Sequence, residues 1–353
     1  MRSFLKPTAG FVCLAALTCA GCSSEPDSES SSSSSSQPSA AGAGVASESP
    51  SASASASAES AATAYAPYVS ATSASDNDSA GSPATYNLAF VIAGGSGCTP
   101  KWNGTTAIGD SAVKSRISAL KESGGTVRVS FGGASGKELA STCDSASELA
   151  EAYGAALDAA GATEADFDIE GKQLTDSDSV ALRSEAIALL QKERSDLAVT
   201  FTLPVMPSGL DDDSLALLES ANDNGVQVST VNIMTMNYGS SYDEDMGDYA
   251  ETSAEAAHDQ LEDVFGLSDA GAWKGLALTS MIGVNDVDNE TFSLSDAVQV
   301  RSFAEEKGIA WVSMWSTFRD QQCEGDDAAS DDAATNCSGV DQEAGDFAEA
   351  FTG

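Results

Sequence analysis

The feature that most constrains this chain is an alternation along its length. Short β-branched and apolar runs recur between residues 64 and 316, and stretches of helical periodicity separate them. The runs predict strands at 64–70, 86–93, 126–131, 165–170, 197–205, 227–237, 275–282 and 309–316. The spacing between them predicts helices over 110–122, 145–160, 178–192, 214–222, 252–265 and 295–307. A strand that follows a helix after another strand pairs in parallel, because only a crossover of that length reaches a neighbour of the same direction. Eight such units over residues 63–353 predict an α/β fold of the (β/α)8 barrel type, with a doubly wound open sheet as the alternative built from the same units. The connection over 70–85 is too rich in Ser and Asp for a full helix, and 320–353 has room for a short last one.

The N-terminal part reads differently. Residues 1–21 carry Arg2 and Lys6, an apolar run from Phe11 to Leu17 and small residues up to Cys22, the pattern of an export signal too short to span a bilayer. Ala20-Gly21-Cys22-Ser23 resembles a bacterial lipobox, although Cys19 stands where Leu is usual. Cys22 is therefore the expected lipidation site, and an exported, surface-anchored protein is expected, with cleavage to a secreted form as the alternative. Residues 22–62 are almost all Ser, Ala, Pro, Gly and Glu, which bury too little apolar surface to offset ordering, so a flexible tether is expected there. The folded part is expected to begin at Thr63.

Four cysteines remain in that part: Cys98, Cys143, Cys323 and Cys337. An even number in an exported chain predicts disulfides with three connectivities, of which Cys98 with Cys143 and Cys323 with Cys337 is favoured because the second pair closes an acidic, Ala-rich loop. No C-x-x-C occurs, so neither a structural zinc nor a dithiol redox role is expected.

Charge excludes further classes. With 54 Asp and Glu against 16 Lys and Arg, the net charge is −38, and such a surface repels nucleic acid and anionic lipid, leaving the lipid anchor as the one expected membrane contact. The single histidine, His258, lies in a helical stretch without a G-x-S-x-G elbow anywhere in the chain, and is expected to lie on the surface or to pack a helix.

The chemistry concentrates in Ala165-Asp166-Phe167-Asp168-Ile169-Glu170-Gly171. On a strand, Asp166, Asp168 and Glu170 share one face and Phe167 and Ile169 the other, so the acids converge inside a barrel at its C-terminal end. The same acid spacing at Asp286, Asp288 and Glu290 lacks the apolar interleaving and reads as a chance occurrence in a solvated loop. A calcium loop starting at Asp166 would need Glu at position 177, which is Ser177. Gly132-Gly133-Ala134-Ser135-Gly136-Lys137 is one residue short of a phosphate loop and has Glu138 where Ser or Thr is required, so a tight strand-to-helix turn fits it better.

At this point the chain resembles the chitinases of glycoside hydrolase family 18, whose signature D-x-x-D-x-D-x-E ends the fourth barrel strand. Asp166, Asp168 and Glu170 match its last three acids, and Thr163 stands at the first. Ala66-Pro67-Tyr68-Val69 looks like the first strand and Leu88-Ala89-Phe90 like the second. Ser130-Phe131-Gly132-Gly133 resembles the S-x-G-G of the third strand, Met234-Thr235-Met236-Asn237-Tyr238 the M-x-M-x-Y of the sixth, and Met314-Trp315-Ser316 the eighth. The D-F-D-I-E-G form most resembles an archaeal and bacterial branch.

The resemblance implies a monomeric chitinase without cofactor or metal, acting on chitin or N-acetylglucosamine oligosaccharides by retaining, substrate-assisted hydrolysis. It implies Glu170 as general acid and base, with its pKa raised by Asp168 and burial. Asp168 would orient the substrate acetamido group, Asp166 would support Asp168, and Tyr238 would hydrogen-bond the acetamido carbonyl. Trp315 would floor the sugar at the reacting centre, with Met236, Asn237, Met281, Ser130, Gly132 and Gly133 as further substrate contacts and Trp102 and Trp273 either as outer platforms or as packing. Asn237 stands where relatives often carry Asp. An endo-β-N-acetylglucosaminidase acting on N-glycan cores is the alternative activity, and a non-catalytic chitin-binding lectin a third reading, which Glu170 disfavours.

Overall fold

In the computed structural model, residues 63–323 and 336–353 are described. The export segment, Cys22, the tether over 22–62 and the interior of the loop between Cys323 and Cys337 lie outside them.

Eight parallel strands close on themselves. The first, β1, comes in two pieces, Ala64–Tyr65 and Tyr68–Ser70. They flank Pro67, whose missing N–H cannot join a ladder. The others are β2 (Thr85–Ala93), β3 (Thr126–Gly132), β4 (Glu164–Asp168), β5 (Ala198–Pro204), β6 (Val228–Met234), β7 (Leu276–Met281) and β8 (Trp311–Trp315). The first piece of β1 pairs with β8 and the second with β2, which decides for the barrel over the open sheet.

Six helices cover the barrel: α1 (Ser111–Glu122), α2 (Ala146–Ala160), α3 (Ser177–Glu193), α4 (Asp212–Asp223), α5 (Met246–Phe265) and α6 (Leu294–Lys307), with α7 (Asp346–Thr352) near the C-terminus. Each of the six starts at an Asp or Ser whose side chain accepts from a first-turn N–H: Asp110, Ser145, Asp176, Asp211, Asp245 and Ser293. Four of these caps are Asp, so part of the chain's acidity is built into helix starts. Helix α5 begins at Met246 rather than 252 because Asp245 accepts from Asp248 N and Met246, Gly247 and Ala250 continue its buried stripe.

The alternation read from the sequence is realised in the aromatic layer between β3–β5 and α2. Phe167 stacks on Phe131 at 5.3 Å and meets Tyr153 edge-on at 5.0 Å, so the apolar residues of β4 face the helices while its acids face inward. The N-terminal end of the barrel is closed by Arg128, which donates to Asn87 (2.8 Å) and Glu164 (2.7 Å) with its guanidinium 4.1 Å from the Trp311 ring centre. Both favoured disulfides, Cys98–Cys143 and Cys323–Cys337, are formed.

Two open readings close here and one expectation changes. Trp102 lies on a short antiparallel strand, Pro100–Trp102, paired with β2, and is fully buried. Trp273 is sandwiched between His258, stacked at 4.1 Å, and Lys307, 4.9 Å from its ring centre. Both tryptophans therefore pack the scaffold rather than offer sugar platforms, and His258 packs a helix as expected. The segment around Asp286–Glu290 is no solvated loop: Gly283–Val284 and Thr291–Phe292 form an antiparallel pair that holds it, and Glu290 is 1% exposed. Among the described residues no helix is long and apolar enough to cross a membrane.

Candidate active site

At the C-terminal end of the barrel lies a cavity of about 600 Å³, a volume suited to a small ligand. Asp168, Glu170, Trp315, Met236, Asn237 and Met281 line it, together with Tyr68, Phe90, Thr202 and, unforeseen from sequence, Asp211 and Asp286. The register explains the convergence: Asp168 sits opposite Gly132 on β3 and Thr202 on β5, one layer above Asp166, which sits opposite Ser130 and Thr200.

Asp166 lies below the cavity, not on its wall. Its Oδ2 accepts from Tyr68 (2.9 Å) and from Ser130, and its Oδ1 accepts from Thr202 (2.6 Å). Asn232 extends this network by donating to Thr202 (3.0 Å) and accepting from Thr279 (2.9 Å). Burial raises the Asp166 pKa, and the donors from Ser130, Thr202 and Tyr68 with the charge of Arg128 hold it back. Three hydroxyl groups thus hold the Asp166 carboxyl in place beneath Asp168.

Asp168 has the opposite balance. It is buried and its Oδ1 has no hydrogen-bond partner among the described residues. Burial first, then the charges of Glu170 and Asp166, then a hydrogen bond to Glu170 raise its pKa well above 3.8. Glu170 is raised from 4.5 chiefly by burial, with the charge of Asp286 adding and the Asp168 hydrogen bond opposing. Asp168 and burial were expected to raise Glu170; burial does so, joined by the charge of Asp286, whereas the hydrogen bond with Asp168 acts in the opposite direction.

A carboxyl with a raised folded pKa binds its proton more tightly folded than unfolded, so its contribution to stability is complete below the ordinary 3.8 and is lost as pH rises toward the elevated folded value. Asp168→Asn removes that loss. Its melting temperature is expected to exceed that of the wild type at about pH 7, with the gain vanishing near pH 3.5, as thermal melts across that range will show. A variant equally or less stable at neutral pH would contradict the burial cost assigned to Asp168.

The floor is aromatic. Trp315 stacks on Phe90 (5.6 Å, 20°) and meets Tyr68 and Phe318 edge-on, each at 5.8 Å.

Four expected contacts are placed elsewhere. Tyr238 does not reach the cavity; it is 4% exposed, packed between Tyr242 and Tyr249, with its hydroxyl 3.4 Å from Ser253 Oγ on α5. The chain turns at Asn237, whose φ is 55°, and this presents Met236 and Asn237 to the cavity and Tyr238 to the helices. Ser130 is spent on Asp166. Gly132 and Gly133 are backbone devices: at φ of 99° and 88°, a Cβ would fall 2.1 Å from the Asp168 carbonyl and 2.8 Å from the Phe90 ring. That close approach lets Gly133 N donate to the Asp168 carbonyl at 2.9 Å.

The loop after β7 braces the other side. The Glu290 carboxylate accepts from Tyr238 N (3.1 Å) and Gly239 N (2.7 Å), and Asn237 Oδ1 accepts from Asp286 N (3.0 Å). Position just beyond a barrel strand was the signal that could have identified Asp286. A group of potential metal ligands among the described residues, His258, Asp259 and Glu262, lies on α5 outside the cavity lining.

The comparisons with known proteins agree with this geometry. No family model matches the chain. It is 34% identical over 275 residues, 72% of its length, to the probable bifunctional chitinase/lysozyme of Escherichia coli, and 34% identical over 276 residues to endochitinase 11 of Metarhizium anisopliae. It aligns with the crystal structure of the catalytic domain of the hyperthermophilic chitinase from Pyrococcus furiosus at 30% identity and a TM-score of 0.71, covering 81% of this chain and 93% of that one. The chain belongs to the family 18 chitinases. It spans 31% and 52% of the two curated relatives, and so corresponds to one portion of each. Within the family 18 frame the acid strand, the aromatic floor and the S-x-G-G turn occupy the places that the sequence motifs implied, while the residue of the sixth strand's segment facing the cavity after Met236 is Asn237.

Proposed function

We propose that the chain is a chitinase that hydrolyses β-1,4 links between N-acetylglucosamine residues with retention, by substrate-assisted catalysis. The observation that carries this is Asp168 Oδ1, a buried carboxylate oxygen without a partner, set beside a protonatable Glu170 above the Trp315 floor. In this reading the apolar face of a sugar lies on Trp315. Its acetamido N–H donates to Asp168, and the proton that Asp168 shares with Glu170 passes to Glu170, which delivers it to the leaving oxygen. The acetamido oxygen attacks the anomeric carbon, the Asp168 carboxylate over Asp166 stabilises the resulting cation, and Glu170 then takes a proton from the water that opens it. Asn237 replaces Tyr238 as donor to the acetamido carbonyl, since its Nδ2 has only the weak acceptor Met281 Sδ, at 3.9 Å.

On the same proposal, the protein works as a monomer without metal or organic cofactor, exported and held at the cell surface through a lipid on Cys22. Incubation with N-acetylchitotetraose, followed by chromatography that resolves anomers, tests the chemistry. β-Anomeric products are expected. α-Anomeric products would overturn the retaining mechanism, and an intact tetraose beside a cleaved N-glycan core would transfer the activity to endo-β-N-acetylglucosaminidases.

A further inference from the structure

A second cavity, of about 560 Å³, opens on the other side of Glu170 and shares Ala134 and Glu170 with the first. Its walls come from the turn after β3 and the segment after β4, tied together where Gln173 Nε2 donates to the Gly136 carbonyl at 3.4 Å. Resting on the function proposed above, the sugar over Trp315 occupies the first cavity, so the residue expelled with the leaving oxygen lies beyond Glu170, in the second.

The two cavities differ in charge. The first contains Asp168, Glu170, Asp211 and Asp286 and no cation. The second is lined by Lys137 and Lys172. Elsewhere Arg116, Arg128, Arg183, Arg194, Arg301 and Lys307 sit in ion pairs with acids, while Lys101, Lys114, Lys192 and Lys274 form none among the described residues. Neither Lys137 nor Lys172 has a side-chain hydrogen bond or ion pair among the described residues. Asp176, the other acid of that wall, is occupied in capping α3 through Asp178 N at 3.2 Å. Lys137 and Lys172, on a wall that also carries Asp176 and Glu170, make this side of the cleft more favourable to an anion than the first cavity, whose four acids face no cation.

We infer that the leaving-group side of the cleft accepts a carboxylate-bearing sugar, with Lys137 and Lys172 as the residues that select it. The charge asymmetry also fixes register, because an acidic residue is repelled from the Trp315 side and drawn to the lysine side. Two sources share that chemistry: an oligosaccharide whose reducing end has been oxidised to an aldonate, and one with an O-lactyl ether on a glucosamine ring.

The full chain is compared on N-acetylchitopentaose, its reducing-end aldonate and an O-lactylated pentaose, at low ionic strength and in 1 M NaCl. At low salt, kcat/KM is expected to be about three- to tenfold higher for a carboxylated substrate than for the neutral one, the range that two partly exposed charge contacts supply. The carboxylated substrate that gains identifies the source. The preference is expected to disappear in high salt and in Lys137→Met/Lys172→Met, whose rate on the neutral pentaose stays within about twofold of wild type. Equal rates on all three substrates, or a preference that survives in the double variant, would overturn the inference. Cleavage of the neutral pentaose reports on the proposed function separately. If it is absent, the same ratios are read as Kd values on the Glu170→Gln chain with and without the two lysine replacements, and equal affinities there overturn the inference as well.

Discussion

Replacement of Glu170 by glutamine is expected to lower kcat on N-acetylchitotetraose by about 10²–10⁴-fold with little change in KM, the range that a positioned general acid contributes. The substitution is nearly isosteric and leaves the sugar floor and Asp168 in place, so ligand affinity and the melting curve should stay close to those of wild type. The expected cause is specific. Among the carboxyls lining the first cavity only Glu170 also borders the second, which on the proposed function sets it between the sugars on either side of the cleaved bond. A variant that keeps more than about a tenth of wild-type kcat would remove Glu170 as the proton donor. The wild-type rate should also fall as pH rises through the pKa of Glu170, which lies above the ordinary 4.5 because burial and the charge of Asp286 disfavour its ionised form.

The second large effect is on stability. Glu138 and Arg183 are each 1% exposed and form an ion pair of 2.8 Å. Glu138 also accepts from Tyr153 (2.5 Å) and Ala140 N (2.9 Å), and so anchors the turn that carries Ala134 and Ser135 to the cleft. Glu138→Ala leaves a guanidinium buried without its counter-charge. A loss of about 3–5 kcal/mol is expected, which in a domain of this size lowers the melting temperature by on the order of 10 °C. Urea unfolding measures it. Glu138→Leu combined with Arg183→Met should recover much of the loss, since replacing both members of a buried pair by apolar side chains removes the desolvation cost together with the attraction. A single variant within about 1 kcal/mol of wild type would show that the pair is dispensable.

This network also shows where sequence reading stops. In the sequence Glu138 stands out only as the residue that spoils a phosphate loop, and Arg183 not at all, because they are 45 residues apart and nothing local connects them. The acid strand is legible because its signal is local. Alternating carboxylates and apolar side chains on a strand must face opposite ways, and the structure separates Phe167 from Asp166 and Asp168 on that basis. The strand and helix alternation carries the barrel for the same reason, with the start of α5, six residues early, as the largest displacement among the six helix starts.

Tyr238 and Asp286 mark the limit. On an extended strand Met236 and Tyr238 would share a face, but β6 ends at Met234 and the left-handed turn at Asn237 breaks the alternation, sending Tyr238 into the helices. Asp286 is, in the sequence, one acid among many, and its relevance depends on a loop folded back by Asn237 and Glu290.

By itself the sequence determined the features that periodicity and covalent proximity dictate: eight strand and helix units, the inward row of acids on β4, the aromatic at the end of β8 and the even set of cysteines. The tertiary structure alone decided the features that depend on distant residues meeting: closure through the split β1, the exclusion of Tyr238, Gly132 and Gly133 from the cavity lining, the Asp168 oxygen without a partner among the described residues and the unequal charge on the two sides of Glu170. The physical reason is range. Side-chain direction along a strand or helix is set within a few residues, whereas burial, pKa and cavity shape are set by whichever segments the closed barrel brings together.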